Sequence, residues 1–186
     1  KFRKTIYRGE LLFTHHGISG PPVIDLSGEV SELLKKHPQV MLAVDLFSDR
    51  SVAFWHEEFK RWQENSGKKQ LNTLLAGHLP HAVANALCEL AGNIGTVKAA
   101  EFPASGREEL ARLLTALSLR VNATEGWNRA MVTRGGVALK KVDPATLESR
   151  LVKGLFFAGE VLDLDGPCGG FNLQWAFSSG VLAGKN

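Results

Sequence analysis

Apolar residues recur with a period of two at the start of the chain, near 3.6 in its middle, and near two again before the last fifty residues. Thr5-Ile6-Tyr7 and Leu11-Leu12-Phe13-Thr14 read as short extended stretches around a turn at Arg8-Gly9-Glu10. His15-His16-Gly17-Ile18-Ser19-Gly20-Pro21-Pro22 is too rich in Gly and Pro for an element interior, and Pro22 suits the first turn of a helix running to Leu33-Leu34, which Gly28 weakens. Val40, Leu42, Val44 and Leu46 alternate and predict a strand over 39–47 with one buried face.

From about residue 50 the pattern turns helical. Val52, Trp55, Phe59 and Trp62 are spaced by 3, 4 and 3, with charged residues between them. Pro80 can open a second helix with Val83, Leu87 and Leu90 on one face and Gly92 ending it. Ser105 followed by Glu108 predicts a capping box ahead of Leu110, Leu113, Leu114 and Leu117. After residue 118 the period is again two, through Leu119-Val121-Ala123, Ala130-Met131-Val132 and Val137-Leu139. Leu155-Phe156-Phe157-Ala158 reads as a strand buried on both faces. The Gly-rich loop 165–170 leads from it into a helix over 171–183 that is apolar around most of its circumference and should be buried.

Composition narrows the class. With 44% hydrophobic and 22% charged residues in 186, the chain is globular, and it has no apolar run of the ~20 residues a membrane helix needs. The charge of +3 forms no basic stripe, since Lys68-Lys69 and Lys140-Lys141 are only pairs, so nucleic acid is not an expected partner. Two cysteines, Cys88 and Cys168, make no disulfide framework and point to a reducing cytoplasm. The opening Lys1-Phe2-Arg3-Lys4 lacks a methionine and runs directly into strand-like residues, so we expect a chain entered in mid-domain.

Several residues invite a chemical reading. Backbone N–H groups where loop 165–170 meets its helix can face an electron-rich ligand, and Gly169 and Gly170 admit a flat ring, although a tight turn explains the glycines as well. His15 and His16 are adjacent, so on a strand they point to opposite faces and do not share an ion; one of them could line a pocket and shuttle a proton, or simply be a hydrogen-bonded loop residue. His78 and His81 have no acidic or thiol partner at ligand spacing, and no metal is expected.

Three ordered motifs carry a resemblance: Gly9-Glu10-Leu11-Leu12-Phe13-Thr14-His15-His16-Gly17-Ile18-Ser19-Gly20-Pro21, Val132-Thr133-Arg134-Gly135-Gly136-Val137, and the final stretch with Gly154-Leu155-Phe156-Phe157-Ala158-Gly159-Glu160 and Gly169-Gly170-Phe171-Asn172-Leu173-Gln174-Trp175. Together they resemble the BaiN-like (YhiN-like) family of FAD-dependent oxidoreductases. The resemblance implies an α+β chain: an insert over 1–134, made of a small β-barrel carrying a helical subdomain at about 50–117, then the returning strand, loop and helix of a glutathione-reductase-type FAD domain over 135–186. It implies that Gly159 and Glu160 lie near the ribityl and pyrophosphate of FAD, that Gly169, Gly170, Phe171, Asn172 and Leu173 lie beside the isoalloxazine, and that His15, His16, Gly17 and Ser19 face the substrate. At Cys168 the family more usually has threonine. The implied activity is hydride transfer through FAD with NADH or NADPH as possible reductant and a small-molecule substrate. On this reading the chain lacks the N-terminal dinucleotide-binding segment, so it should neither hold FAD nor act alone, and its apolar tail should self-associate. The other class is a non-catalytic barrel-and-helix module binding a protein or nucleic acid.

Overall fold

The computed structural model describes residues 5–186. It divides into two compact units, one formed by Met41–Val121 and the other by Lys1–Val40 with Asn122–Asn186.

The second of these begins with a minimal hairpin, β1 (Leu12–Phe13) paired antiparallel with β2 (Ile18–Ser19). The chain then turns through Gly20 into α1 (Pro21–Leu34). Gly20 has φ +105, and a Cβ there would collide with the Glu10 carbonyl oxygen, so only glycine fits the turn. Gly28 is tolerated inside α1 because the Arg134 guanidinium lies where its Cβ would be. Glu29 accepts hydrogen bonds from the Thr5 and Tyr7 hydroxyls, each at 3.1 Å. Those two residues form no strand, contrary to the pattern at 5–7.

The unit Met41–Val121 follows its amphipathic pattern closely. Strand β3 (Val40–Val44) pairs with β4 (Leu117–Val121) and brackets α2 (Val52–Ser66), α3 (Leu71–Leu75), α4 (His81–Leu90) and α5 (Ala104–Ala116). Ser51 caps α2 by accepting from the Phe54 N–H at 3.2 Å. Trp55, Phe59 and Trp62 pack from α2 against Leu71, Leu75, Leu87, Phe102, Leu110 and Leu114 in one core. The capping box expected at Ser105 is absent: Pro103 takes the N-cap position, where its fixed φ suits the entry, and no side chain caps α5.

The remaining residues of the other unit end in α6 (Phe171–Gly184). A small core of Val142, Leu147 and Leu162, with Val137, Phe157, Trp175 and Leu182 against it, holds α6 to the preceding chain.

The expected β-barrel is not there. Among the described residues both sheets have two strands, and residues 130–162 pair only through single bridges, Val137 with Leu162, Val142 with Ser149 and Glu148 with Phe156. A barrel needs continuous pairing around a closed ring, and Gly135, Gly136 and Gly154, all at positive φ, break these segments into turns. The expected strand and helix of the FAD domain are likewise altered. Residues 155–158 make one bridge because no neighbouring strand flanks them among the described residues, and Leu155 is exposed. Helix α6 is buried on one side only: Trp175, Ser179 and Leu182 face the small core, while Leu173, Phe177 and Val181 recur every four residues on the exposed side.

Candidate functional site

The glycine-rich loop before α6 is fixed by a side chain from within the helix. Asn172 Oδ1 accepts from the Gly166 N–H at 2.7 Å, and Asn172 Nδ2 donates to the Gly166 carbonyl at 2.9 Å. With both backbone groups of Gly166 satisfied, the chain passes Gly169 at φ +120 and enters α6 through Gly170 in the left-handed region. No side chain caps α6 at its start, and open space surrounds the Cβ position of Gly170. The first N–H groups of such a helix have no intrahelical acceptor and carry the positive end of its dipole. The Phe171 ring lies against Gly169, 3.6 Å from where a Cβ would stand. Asp25 Oδ1 accepts from the Cys168 N–H at 2.7 Å and ties the loop to α1. Cys168 itself is exposed and free.

Gly159 sits further along α6. Its N–H donates to Ser179 Oγ at 2.8 Å, its carbonyl accepts from Trp175 Nε1 at 3.2 Å, and Ser179 Oγ donates to the Trp175 carbonyl at 2.6 Å. Gly159 has φ +71 and opens a 3-10 turn over Gly159–Val161. Glu160, in that turn, accepts from the Thr133 N–H, and this bond holds its exposed carboxyl below the usual carboxylate range. Residues 133–137 run alongside the turn: Val137 N–H donates to the Val161 carbonyl at 2.8 Å and Asp163 N–H to the Val137 carbonyl at 3.0 Å. A side chain at Gly136 would strike the Val161 carbonyl. Thr133, Gly135, Gly136, Glu160 and Val161 line a cleft of about 360 Å³. Thr133, Gly135 and Gly136 were not among the expected site residues, although a paired glycine after a Thr-Arg step was the available signal.

The expected substrate-facing residues separate. His15 and His16 stand exposed at the tip of the β1–β2 hairpin, where Thr14 Oγ1 accepts from the His16 and Gly17 N–H groups at 3.3 and 3.1 Å. Ser19 instead lines a second cleft of about 360 Å³ with Ile24, Glu125, Asn128, Arg129, Ala130 and Met131. No group of metal-ligating side chains occurs among the described residues, and no helix there is long and apolar enough to cross a membrane.

The family model described as HI0933-like protein Rossmann domain matches residues 16–186. The chain belongs to the HI0933-like family. Its relatives include a 3-dehydro-bile acid delta(4,6)-reductase of Clostridium scindens, 33% identical over 177 residues, which cover 95% of this chain and 43% of that protein. A ribosomal RNA dihydrouridine synthase of Escherichia coli is 37% identical over 176 residues, covering 94% of this chain and 41% of that protein. The enzyme of the same name from Haemophilus influenzae is 36% identical, with 95% and 41% covered. The chain therefore spans well under half the length of these relatives. The HI0933-like assignment sustains the resemblance to BaiN-like oxidoreductases and, being to a Rossmann domain, speaks against a barrel a second time.

Proposed function

We propose that this chain is the substrate-facing and flavin-edge portion of an oxidoreductase that saturates a carbon–carbon double bond conjugated to a carbonyl group. The uncapped α6 start behind the pinned glycine loop carries this reading, because it offers backbone donors and dipole to a flavin ring where reduced flavin bears negative charge. The relatives' names add the reaction class. A 3-oxo steroid with 4,6-unsaturation and a uracil ring both present C=C conjugated to C=O, and each becomes saturated at that bond.

In this proposal Gly169, Gly170, Phe171, Asn172 and Leu173 border the isoalloxazine of FAD, and Gly159 and Glu160 approach its ribityl and pyrophosphate portion. FAD, when bound, supplies the hydride chemistry, with NADH or NADPH and a proton consumed and NAD⁺ or NADP⁺ released for each bond saturated. A preceding segment supplies the phosphate-binding βαβ unit and the parallel strands that flank residues 155–158. That segment also covers the exposed Leu173, Phe177 and Val181 face of α6. Without it the chain holds no FAD and is inactive. The two free thiols suit a reducing cytoplasm.

The test is anaerobic. In the chain joined to its dinucleotide-binding segment, NADH or NADPH should bleach the visible flavin band, and an enone or a uridine-containing RNA should restore it. Bleaching with no recovery by either acceptor class contradicts the assigned reaction.

A further inference from the structure

Helix α1 carries two residues that its own formation does not favour. Gly28 lies in the helix interior, where only proline is a poorer helix former, and Asp25 is poorer there than alanine. Asp25 is the fifth residue of α1, beyond the first turn, so it is no cap; Gly20 holds that position. Three residues apart, Asp25 and Gly28 share one face of the helix. Each is matched to a segment from far along the chain. Asp25 Oδ1 accepts from the Cys168 N–H at 2.7 Å, across 143 residues of sequence. The Arg134 guanidinium fills the space that any side chain at Gly28 would need. The two segments so held are the glycine-rich loop and residues 133–136, whose Thr133 N–H meets Glu160.

The loop needs such a tether. Asn172 fixes Gly166, and α6 begins after Gly170, but between them Gly169 and Gly170 stand at φ +120 and +89 and have the most conformational freedom to lose. Pro167 has no N–H, so Cys168 supplies the first amide after Gly166 that an acceptor can hold.

We propose that α1 is the gauge of the cofactor site: Asp25 positions the glycine-rich loop, Gly28 positions residues 133–136 by seating Arg134, and one helix thereby fixes both segments. The inference rests on the reading of those segments as the isoalloxazine and ribityl–pyrophosphate ends of an FAD site. Asp25 and Gly28 are positioning residues, since ordering a loop before its ligand arrives removes an entropic cost from binding. A purely structural role predicts a different outcome at Gly28. Alanine there improves the helix and displaces only the flexible end of an arginine, so stability should hold or rise while FAD binding suffers.

Amide exchange by NMR on the chain alone and FAD titration of the chain joined to its dinucleotide-binding segment test this. In the chain alone, Asp25→Ala should speed exchange at Cys168 about tenfold or more, and Asp25→Asn, which keeps an acceptor oxygen, should restore most of the protection. Gly28→Ala should speed exchange at Thr133 with no fall in the urea midpoint. In the joined protein, Asp25→Ala and Gly28→Ala should each weaken FAD about tenfold and alter the visible circular dichroism of the bound flavin, whereas Asp25→Asn should resemble the unmodified protein. Arg134→Ala should match Gly28→Ala, and combining the two should add nothing, since they remove one contact. Unchanged exchange at Cys168 and Thr133, unchanged FAD affinity, or losses of affinity that only track a falling urea midpoint overturn the proposal. The flavin reading fails separately. A joined protein that is colourless before any substitution sinks that reading, and the exchange rates then decide by themselves whether α1 holds the two segments. One that binds FAD equally well in every variant overturns the gauge and leaves the flavin reading intact.

Discussion

Ser179 is the buried polar side chain of the described core, and it accepts from the Gly159 N–H while donating to the Trp175 carbonyl. Ser179→Ala leaves the Gly159 donor without its partner and should destabilise the chain by about 1–3 kcal/mol, read by urea unfolding. His78 behaves differently. Its Nδ1 lies 2.9 Å from Arg50 Nη1 and its Nε2 3.6 Å from Glu58 Oε1, with the Trp62 ring stacked at 6.0 Å. Burial first, then the Arg50 charge, push its pKa down against the opposing pull of Glu58. The neutral imidazole is thus favoured in the folded state more than in the unfolded chain. Its contribution is complete above the unfolded value near ~6.5 and is lost as pH falls through the lower folded value. A urea midpoint that declines below that pH, and declines less in His78→Gln, is the expected outcome; identical pH profiles contradict it. Neither Ser179 nor His78 was legible as an anchor in the sequence, because the Gly159 partner of Ser179 and the Arg50 and Glu58 partners of His78 lie twenty or more residues away.

Helix α2 was legible from its apolar face, and the structure adds a cap that the pattern had not supplied. Ser51 accepts from the Phe54 N–H, and Trp55, Phe59 and Trp62 fall on one side. Phe59 is fully buried, with ring centroids of Trp62 and Phe102 at 5.2 and 5.1 Å. Phe59→Ala should cost about 3–5 kcal/mol, measured as a shift of the unfolding midpoint. Strand β3 and helices α1 and α4 were legible for the same reason: each meets its partners locally or through one amphipathic face. Residues 155–158 and α6 were misread because apolar content alone supplies neither a pairing strand nor a covering face: among the described residues 155–158 make one bridge, and Leu173, Phe177 and Val181 stay exposed. An apolar run states that a segment is suited to burial, and a strand forms only when something pairs with it. At the glycine loop, the turn was legible from composition, whereas the Asn172 clamp on Gly166 and the approach of Thr133 to Glu160 depend on tertiary contacts.

The apolar face of α6 has a consequence for the behaviour of the chain in solution. Phe177 is 72% exposed, Leu173 67% and Val181 58%, and they form a continuous strip on one helix. Alone, the chain should associate through this strip, so sedimentation should give a concentration-dependent mass that Phe177→Glu returns to the monomer. A monomer at all concentrations contradicts this. When the dinucleotide-binding segment is joined, the proposal expects it to cover the same strip, and the association should disappear. In our proposal this chain holds one edge of a flavin site whose phosphate-binding part lies in the dinucleotide-binding segment, and the visible spectrum tests it most directly. The purified chain alone should be colourless, and the chain joined to its dinucleotide-binding segment should carry stoichiometric FAD. Stoichiometric flavin on the chain alone, or none on the extended protein, contradicts the claim.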